Sequence, residues 1–145
     1  MASGSYMVFA EIREFESIIK IGSLGKIEFK RGFYIYIGSA MGKGSTSLRN
    51  RILRHLKSDL SEYNSQHKPK IRWHIDYFLN HASVNIVKII FIPSNVKEEC
   101  ELANSISHLS NDSIKKFGSS DCRCNSHLFF FKLDNSWINS NMKLE

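Results

Sequence analysis

The sequence is poor in the residues that would place it outside ordinary globular proteins. Its 145 residues contain only 2 prolines and 8 glycines, which excludes collagen-like and proline-rich low-complexity classes. No apolar run reaches the roughly 18 residues that a membrane-spanning helix needs. The longest apolar stretches, 86–93 and 128–133, are strand-sized and interrupted by Lys88 and Lys132. The first residues lack the basic segment and apolar stretch of a secretory signal. Cysteine is scarce and odd in number, at 3. A chain of this length needs no disulfide staples, so reduced thiols, no membrane association and a cytoplasmic location are expected.

Acidic residues are also missing where basic ones gather. No Asp or Glu occurs from Phe29 to Ser58, whereas Lys30, Arg31, Lys43, Arg49, Arg51, Arg54 and Lys57 all fall there, and Lys68, Lys70 and Arg72 extend the bias. With a net charge of +6 overall, this distribution predicts a basic face suited to a phosphate backbone. Lys43, Arg49, Arg54 and Lys57 are the candidate nucleic-acid contacts. Such contacts position a duplex or single strand without reading its sequence, and a solvated helix surface has the same composition.

What the chain does contain is two hydrophobic periods. Alternation predicts strands over 6–12 and 32–38, with a hairpin of 18–21 and 26–29 around Gly22-Ser23-Leu24-Gly25. Leu48, Ile52 and Leu56 recur at helical spacing, so a helix over 46–60 should follow the loop 39–47 that carries Gly42 and Gly44. A second helix is expected over 71–81 and a buried strand over 84–92. A third helix, capped by Ser94 or Asn95, should run to Leu109, and a loop over 117–126 should lead into a strand over 127–133. These elements predict one α+β domain spanning 1–145.

Tyr36-Ile37-Gly38 closes a strand, and Leu48-x-x-Arg51-x-x-x-His55 lies on the helix after the glycine loop. Together with Gly4-Ser5-Tyr6 on the first strand, these residues resemble the signature of the GIY-YIG nuclease superfamily. More specific segments are Arg51–His55-Leu56, Trp73-His74-Ile75-Asp76-Tyr77, Glu99-Cys100-Glu101-Leu102-Ala103 and Phe117-Gly118-Ser119-Ser120-Asp121-Cys122-Arg123-Cys124 with Ser126-His127-Leu128-Phe129. They are similar to a mostly archaeal, largely uncharacterised GIY-YIG-like family. The resemblance covers nearly the whole chain.

That resemblance implies a small antiparallel or mixed sheet flanked by helices, with an extra N-terminal hairpin and a C-terminal strand, and an endonuclease acting on DNA, in repair or recombination. It implies Mg²⁺ or Mn²⁺ as cofactor, DNA as partner, and a monomer or weak dimer. Hydrolysis of a phosphodiester needs an activated water, a cation to stabilise the added charge, and a metal at the phosphate. The catalytic set so implied is Tyr6, Tyr36, Arg51 and His55, with one phenol helping to activate water and the Arg51 fork holding the phosphate. Glu99 would be the metal ligand. Gly32-Phe33-Tyr34 is a rival first motif, but it abuts Tyr36 and cannot form a separate strand.

Glu99 also stands out by its place on the third helix, where it projects onto the stripe of Leu102, Ala103 and Ile106 while Glu101 points away. Gly38, Ser39, His74, Asp76, Glu101, Ser119, Asp121 and His127 are candidate supporting residues. Cys122, Cys124 and His127 could be three zinc ligands, with Cys100 or His74 as a fourth. Two thiols one residue apart in a strand-like segment point opposite ways, however, so a loop that supports the active site is the favoured reading. The same sequence features also predict a non-catalytic nucleic-acid-binding module as the alternative function.

Overall fold

A computed structural model describes residues 3–40, 73–119 and 122–132. The expected helix over 46–60, with Arg49, Arg51, Arg54, His55 and Lys57, lies outside the described residues, as do Lys43 of the preceding loop and Asp121.

The alternation of apolar and polar residues in the first forty positions builds one long hairpin. Strand β1 (Gly4–Lys20) turns through a short 3₁₀ segment at Gly22–Leu24 into β2 (Lys26–Ala40). The expected hairpin at Gly22–Gly25 is therefore continuous with the two signature strands. Glycine φ angles of 45° at Gly22 and 76° at Gly25 give the turn its shape. The ladder runs from Gly4 opposite Ala40 to Ile12 opposite Gly32, then resumes with Glu16 opposite Lys30. Residues 13–15 of β1 thus face Arg31 alone, a bulge that bends the hairpin.

Helix α1 (His74–Leu79) leads through a tight turn into β3 (Val84–Pro93). Helix α2 (Glu99–Leu109), β4 (Asp112–Ser113) and β5 (Leu128–Lys132) complete the described elements. The sheet order is β3-β1-β2-β5-β4, and every pairing is antiparallel. This is a small α+β fold. Between β1 and β3 the register slips by one at Val87, which has no partner between Lys88, opposite Phe9, and Ile86, opposite Ala10.

Because side chains alternate across a strand, the two sheet faces collect different residues. Tyr6, Val8, Ala10, Ile12, Tyr34, Tyr36, Leu128 and Phe130 join Ile75, Phe78 and Leu79 of α1 in the larger core. Phe78 is its hub, with ring centroids 5.0 Å from Phe29 and 5.5 Å from Tyr34. The intervening positions Met7, Ile35, Ile37, Phe129 and Phe131 pack against Leu102, Ala103 and Ile106 of α2. Each large aromatic contributes about 2 to 3 kcal/mol by burial, with a further increment where rings meet edge to face.

The Asp76 carboxylate accepts the Trp73 backbone N–H at 2.9 Å and so serves the first turn of α1. The start of α2 differs from expectation. Ser94 folds onto its own loop, with Oγ donating to Val96 O and accepting from Val96 N–H. The N-cap position of α2 is taken by Glu98, which makes no side-chain cap bond.

Candidate functional site

The antiparallel register brings several chain segments to one end of the sheet. β1 and β5 begin there, β2 and β3 end there, and α2 starts nearby. Tyr6 stands opposite Gly38, while Tyr36 stands opposite Val8 on one side and Leu128 on the other. The two tyrosine rings are therefore diagonal neighbours on the same face, with centroids 6.1 Å apart and planes inclined at 53°. A Cβ at Gly38 would lie 2.4 Å from Tyr6 Cζ, so the Tyr6 ring occupies the space that any other residue at 38 would fill. Ser39 pairs with Ser5 beside them.

Tyr36 continues the row. Its ring meets Phe117 at 6.0 Å, and Phe117 meets His74 at 5.6 Å. His74 Nδ1 accepts the Gly118 N–H at 2.9 Å, which ties the 117–119 segment to α1. Burial lowers the His74 pKa below the ordinary histidine value and so favours the neutral ring that this bond requires. Gly118 has φ of 68° and sits at the junction: a Cβ there would lie 3.0 Å from Tyr36 Cε1 and 3.4 Å from His127 Cβ.

His127 is 1% exposed and faces two ways. Its Nδ1 lies 3.7 Å from Glu99 Oε2. Its Nε2 lies 3.5 Å from Cys122 Sγ and 3.9 Å from Cys100 Sγ. The ligand-type atoms of Cys100, Cys122, Cys124 and His127 all fall within 4.8 Å of one another. Segment 122–127 consists of bends rather than strand, so the alternation that argued against convergence of Cys122 and Cys124 does not operate. Of the two suggested fourth members, Cys100 joins the group, whereas His74 Nδ1 accepts Gly118 N–H. Burial, then the neighbouring thiols, push the Cys100 thiol up to about 12, and burial likewise raises Cys124.

Glu99 is only 8% exposed, as its place on the apolar stripe predicted, and Glu101 faces solvent. Glu99 Oε1 lies 3.2 Å from Lys97 Nζ, whose side chain is 56% exposed. A hydrated Mg²⁺ binds through one or two carboxylates. Oε1 is the oxygen at which such a cation could displace the solvent-facing Lys97 ammonium, while Oε2 faces His127. The carboxylate fits a singly anchored, water-rich ion and falls short of a multidentate cage.

Beside the thiol group opens a cleft of about 650 Å³ lined by His74, Ser119, Cys122, Cys124, Lys115 and Lys116. Ser119 is buried, and its Oγ has no hydrogen-bond partner among the described residues. Lys115 and Lys116 lie outside the acid-free stretch that predicts the basic face. Their adjacency to the Phe117–Gly118 motif was the available signal. Among the described residues no helix is long and apolar enough to cross a membrane.

Residues 5–144 match a protein family described as Domain of unknown function DUF123. The match covers nearly the whole chain, and the chain belongs to that family. No curated protein and no solved structure matches it significantly.

Proposed function

We propose that this member of the Domain of unknown function DUF123 family is a metal-dependent endonuclease of GIY-YIG-like fold that hydrolyses phosphodiester bonds in DNA. The observation that carries the reading is the pairing of Tyr6 with Tyr36. Residues from two separate motifs lie side by side at the sheet end, and Gly38 leaves room for the ring of Tyr6. The start of α2, with its nearly buried Glu99, lies at the same end.

In this reading Tyr36, the more open of the two tyrosines, orients the attacking water and helps to remove its proton, while Tyr6 fixes the position of the Tyr36 ring. Arg51 grips the phosphate with its fork of donors, and His55, four positions on in the sequence, shares that phosphate. Mg²⁺ or Mn²⁺ would be held by Glu99 and would supply charge neutralisation at the phosphate and a more acidic bound water. Lys43, Arg49, Arg54 and Lys57 hold the nucleic-acid backbone, with Lys115 and Lys116 available beside the cleft.

The test is cleavage of end-labelled duplex, branched and single-stranded DNA with Mg²⁺, with Mn²⁺ and with EDTA, comparing the unaltered chain with Tyr36→Phe and Arg51→Ala. Metal-dependent products that fall roughly 100-fold or more in both variants are expected, the usual scale for a positioned acid–base or charge-stabilising group. Salt-sensitive binding without cleavage of any substrate would overturn the enzyme reading in favour of a nucleic-acid-binding module.

A further inference from the structure

The four ligand atoms at the sheet end form a closed set that the nuclease reading does not use. Cys100 comes from the first turn of α2, Cys122 and Cys124 from the bent segment after Ser119, and His127 from the residue before β5. A tetrahedral zinc ion with Zn–S bonds near 2.3 Å and Zn–N bonds near 2.05 Å requires sulfur-to-nitrogen edges of about 3.6 Å and sulfur-to-sulfur edges of about 3.8 Å. The sulfur-to-nitrogen separations are 3.5 Å for Cys122 and 3.9 Å for Cys100, and all four atoms lie within 4.8 Å of one another. The two sulfur-to-nitrogen edges match those of a single tetrahedral ion, and no other pair is more than 4.8 Å apart.

The surroundings complete the pattern. A histidine bound to zinc through Nε2 characteristically turns its Nδ1 towards a carboxylate that fixes the ring and raises its basicity. Here the Nδ1 side faces Glu99 Oε2 at 3.7 Å. None of the three thiols is in a disulfide, and three sulfurs with one imidazole form the soft donor set that selects zinc over magnesium or calcium.

We propose that Cys100, Cys122, Cys124 and His127 bind one structural zinc ion, with Glu99 as the carboxylate that orients His127. All four positions of the tetrahedron are filled by protein, which is the mark of a structural rather than a catalytic zinc site. The ion joins α2 to the 122–127 segment that leads into β5. Through His127 and Gly118 it fixes the wall against which the Tyr36 ring packs. The site stands independently of the nuclease reading, because its readout is metal content.

The experiment uses the full chain, expressed with zinc supplied and stripped of loosely held metal by gel filtration with EDTA. Elemental analysis should return close to one zinc per chain. Exchange of that zinc for Co²⁺ should give the visible absorption of a tetrahedral cobalt thiolate centre. Cys124→Ser should lose the zinc, while His108→Gln, on the exposed end of α2, should retain it. Glu99→Gln should keep the ion but weaken its hold about 10- to 100-fold in competition with a chromophoric chelator, the usual effect of removing the carboxylate behind a zinc-bound histidine. The cobalt spectrum of the unaltered chain settles the matter even if Cys124→Ser fails to fold. A folded chain without zinc and without a cobalt thiolate spectrum overturns the proposal, as does iron in place of zinc or a disulfide between two of the cysteines. A chain that binds zinc but cuts no DNA would leave this site intact and sink only the nuclease reading.

Discussion

Replacing Gly38 by alanine probes the relation between the sheet register and the tyrosine pair. The new Cβ would stand 2.4 Å from Tyr6 Cζ, 2.6 Å from its hydroxyl oxygen and 2.7 Å from Cε1, all far inside van der Waals contact. Gly38 and Tyr6 are directly paired in the ladder, so neither backbone can retreat without breaking hydrogen bonds, and the ring itself must move. Tyr6 is 1% exposed, which leaves it no free space on its own side. Overpacking of this kind costs about 1 to 3 kcal/mol. Loss of glycine's freedom in the unfolded chain returns about 0.4 to 1 kcal/mol. A net loss of about 1 kcal/mol is expected, equivalent to roughly 2 to 4 °C in Tm for a chain of this size. Urea unfolding of Gly38→Ala, Tyr6→Val and the double variant forms the assay. Valine lacks all three clashing atoms, so Gly38→Ala should cost almost nothing in the Tyr6→Val background, giving a coupling of at least about 1 kcal/mol. An equal cost in both backgrounds would refute the reasoning and assign the glycine to backbone conformation instead.

Two further predictions concern the 117–119 segment. Gly118→Ala meets both a left-handed backbone, worth about 1 to 2 kcal/mol against a residue with a Cβ, and the Tyr36 ring at 3.0 Å. It should therefore lower the urea midpoint and, if the chain is the nuclease proposed above, reduce cleavage without changing DNA affinity. His74 is depressed in the folded state by burial, so the unfolded chain takes up its proton first. Stability is fully present above the unfolded value near 6.5 and is lost as pH falls from there to the lower folded value. The difference in unfolding free energy between the unaltered chain and His74→Gln, measured from about pH 7 to about pH 5, should shrink on acidification; a constant difference would show that His74 is not held neutral.

The strands were legible because their signal is local. Alternation placed 6–12, 32–38 and 84–92 inside the observed β1, β2 and β3, and the Gly22–Gly25 turn was apparent from its composition. What alternation could not reveal was that the hairpin and the two signature strands are one continuous ribbon, since continuity depends on how a bulge at 13–15 is accommodated. The burial of Glu99 followed from helical phase alone. The convergence of the thiols was not legible because a Cys-x-Cys spacing implies divergence only in an extended segment, whereas 122–127 is bent and held by non-local bonds such as Lys116 N–H to Asn125 O and His127 N–H to Phe117 O. Ser94 offered a plausible cap, but its hydroxyl found Val96 first. Such side-chain competition is not visible in composition.

The length of the first hairpin also bears on the order in which the molecule assembles. Positions 6 and 36 are far apart along the chain, yet their encounter requires only that a three-residue turn nucleate and the ladder zip outwards, a process on the order of microseconds. The tyrosine pair can thus form while the rest of the chain is still searching. The thiol group waits for α2 and for the segment before β5, which meet across 27 positions between Cys100 and His127 and have no ladder to guide them. Contacts of this kind carry the loop-closure cost that slows folding. The two halves of the sheet end should therefore appear in sequence: an early tyrosine environment that forms with or without added zinc, followed by a slow phase whose rate responds to it.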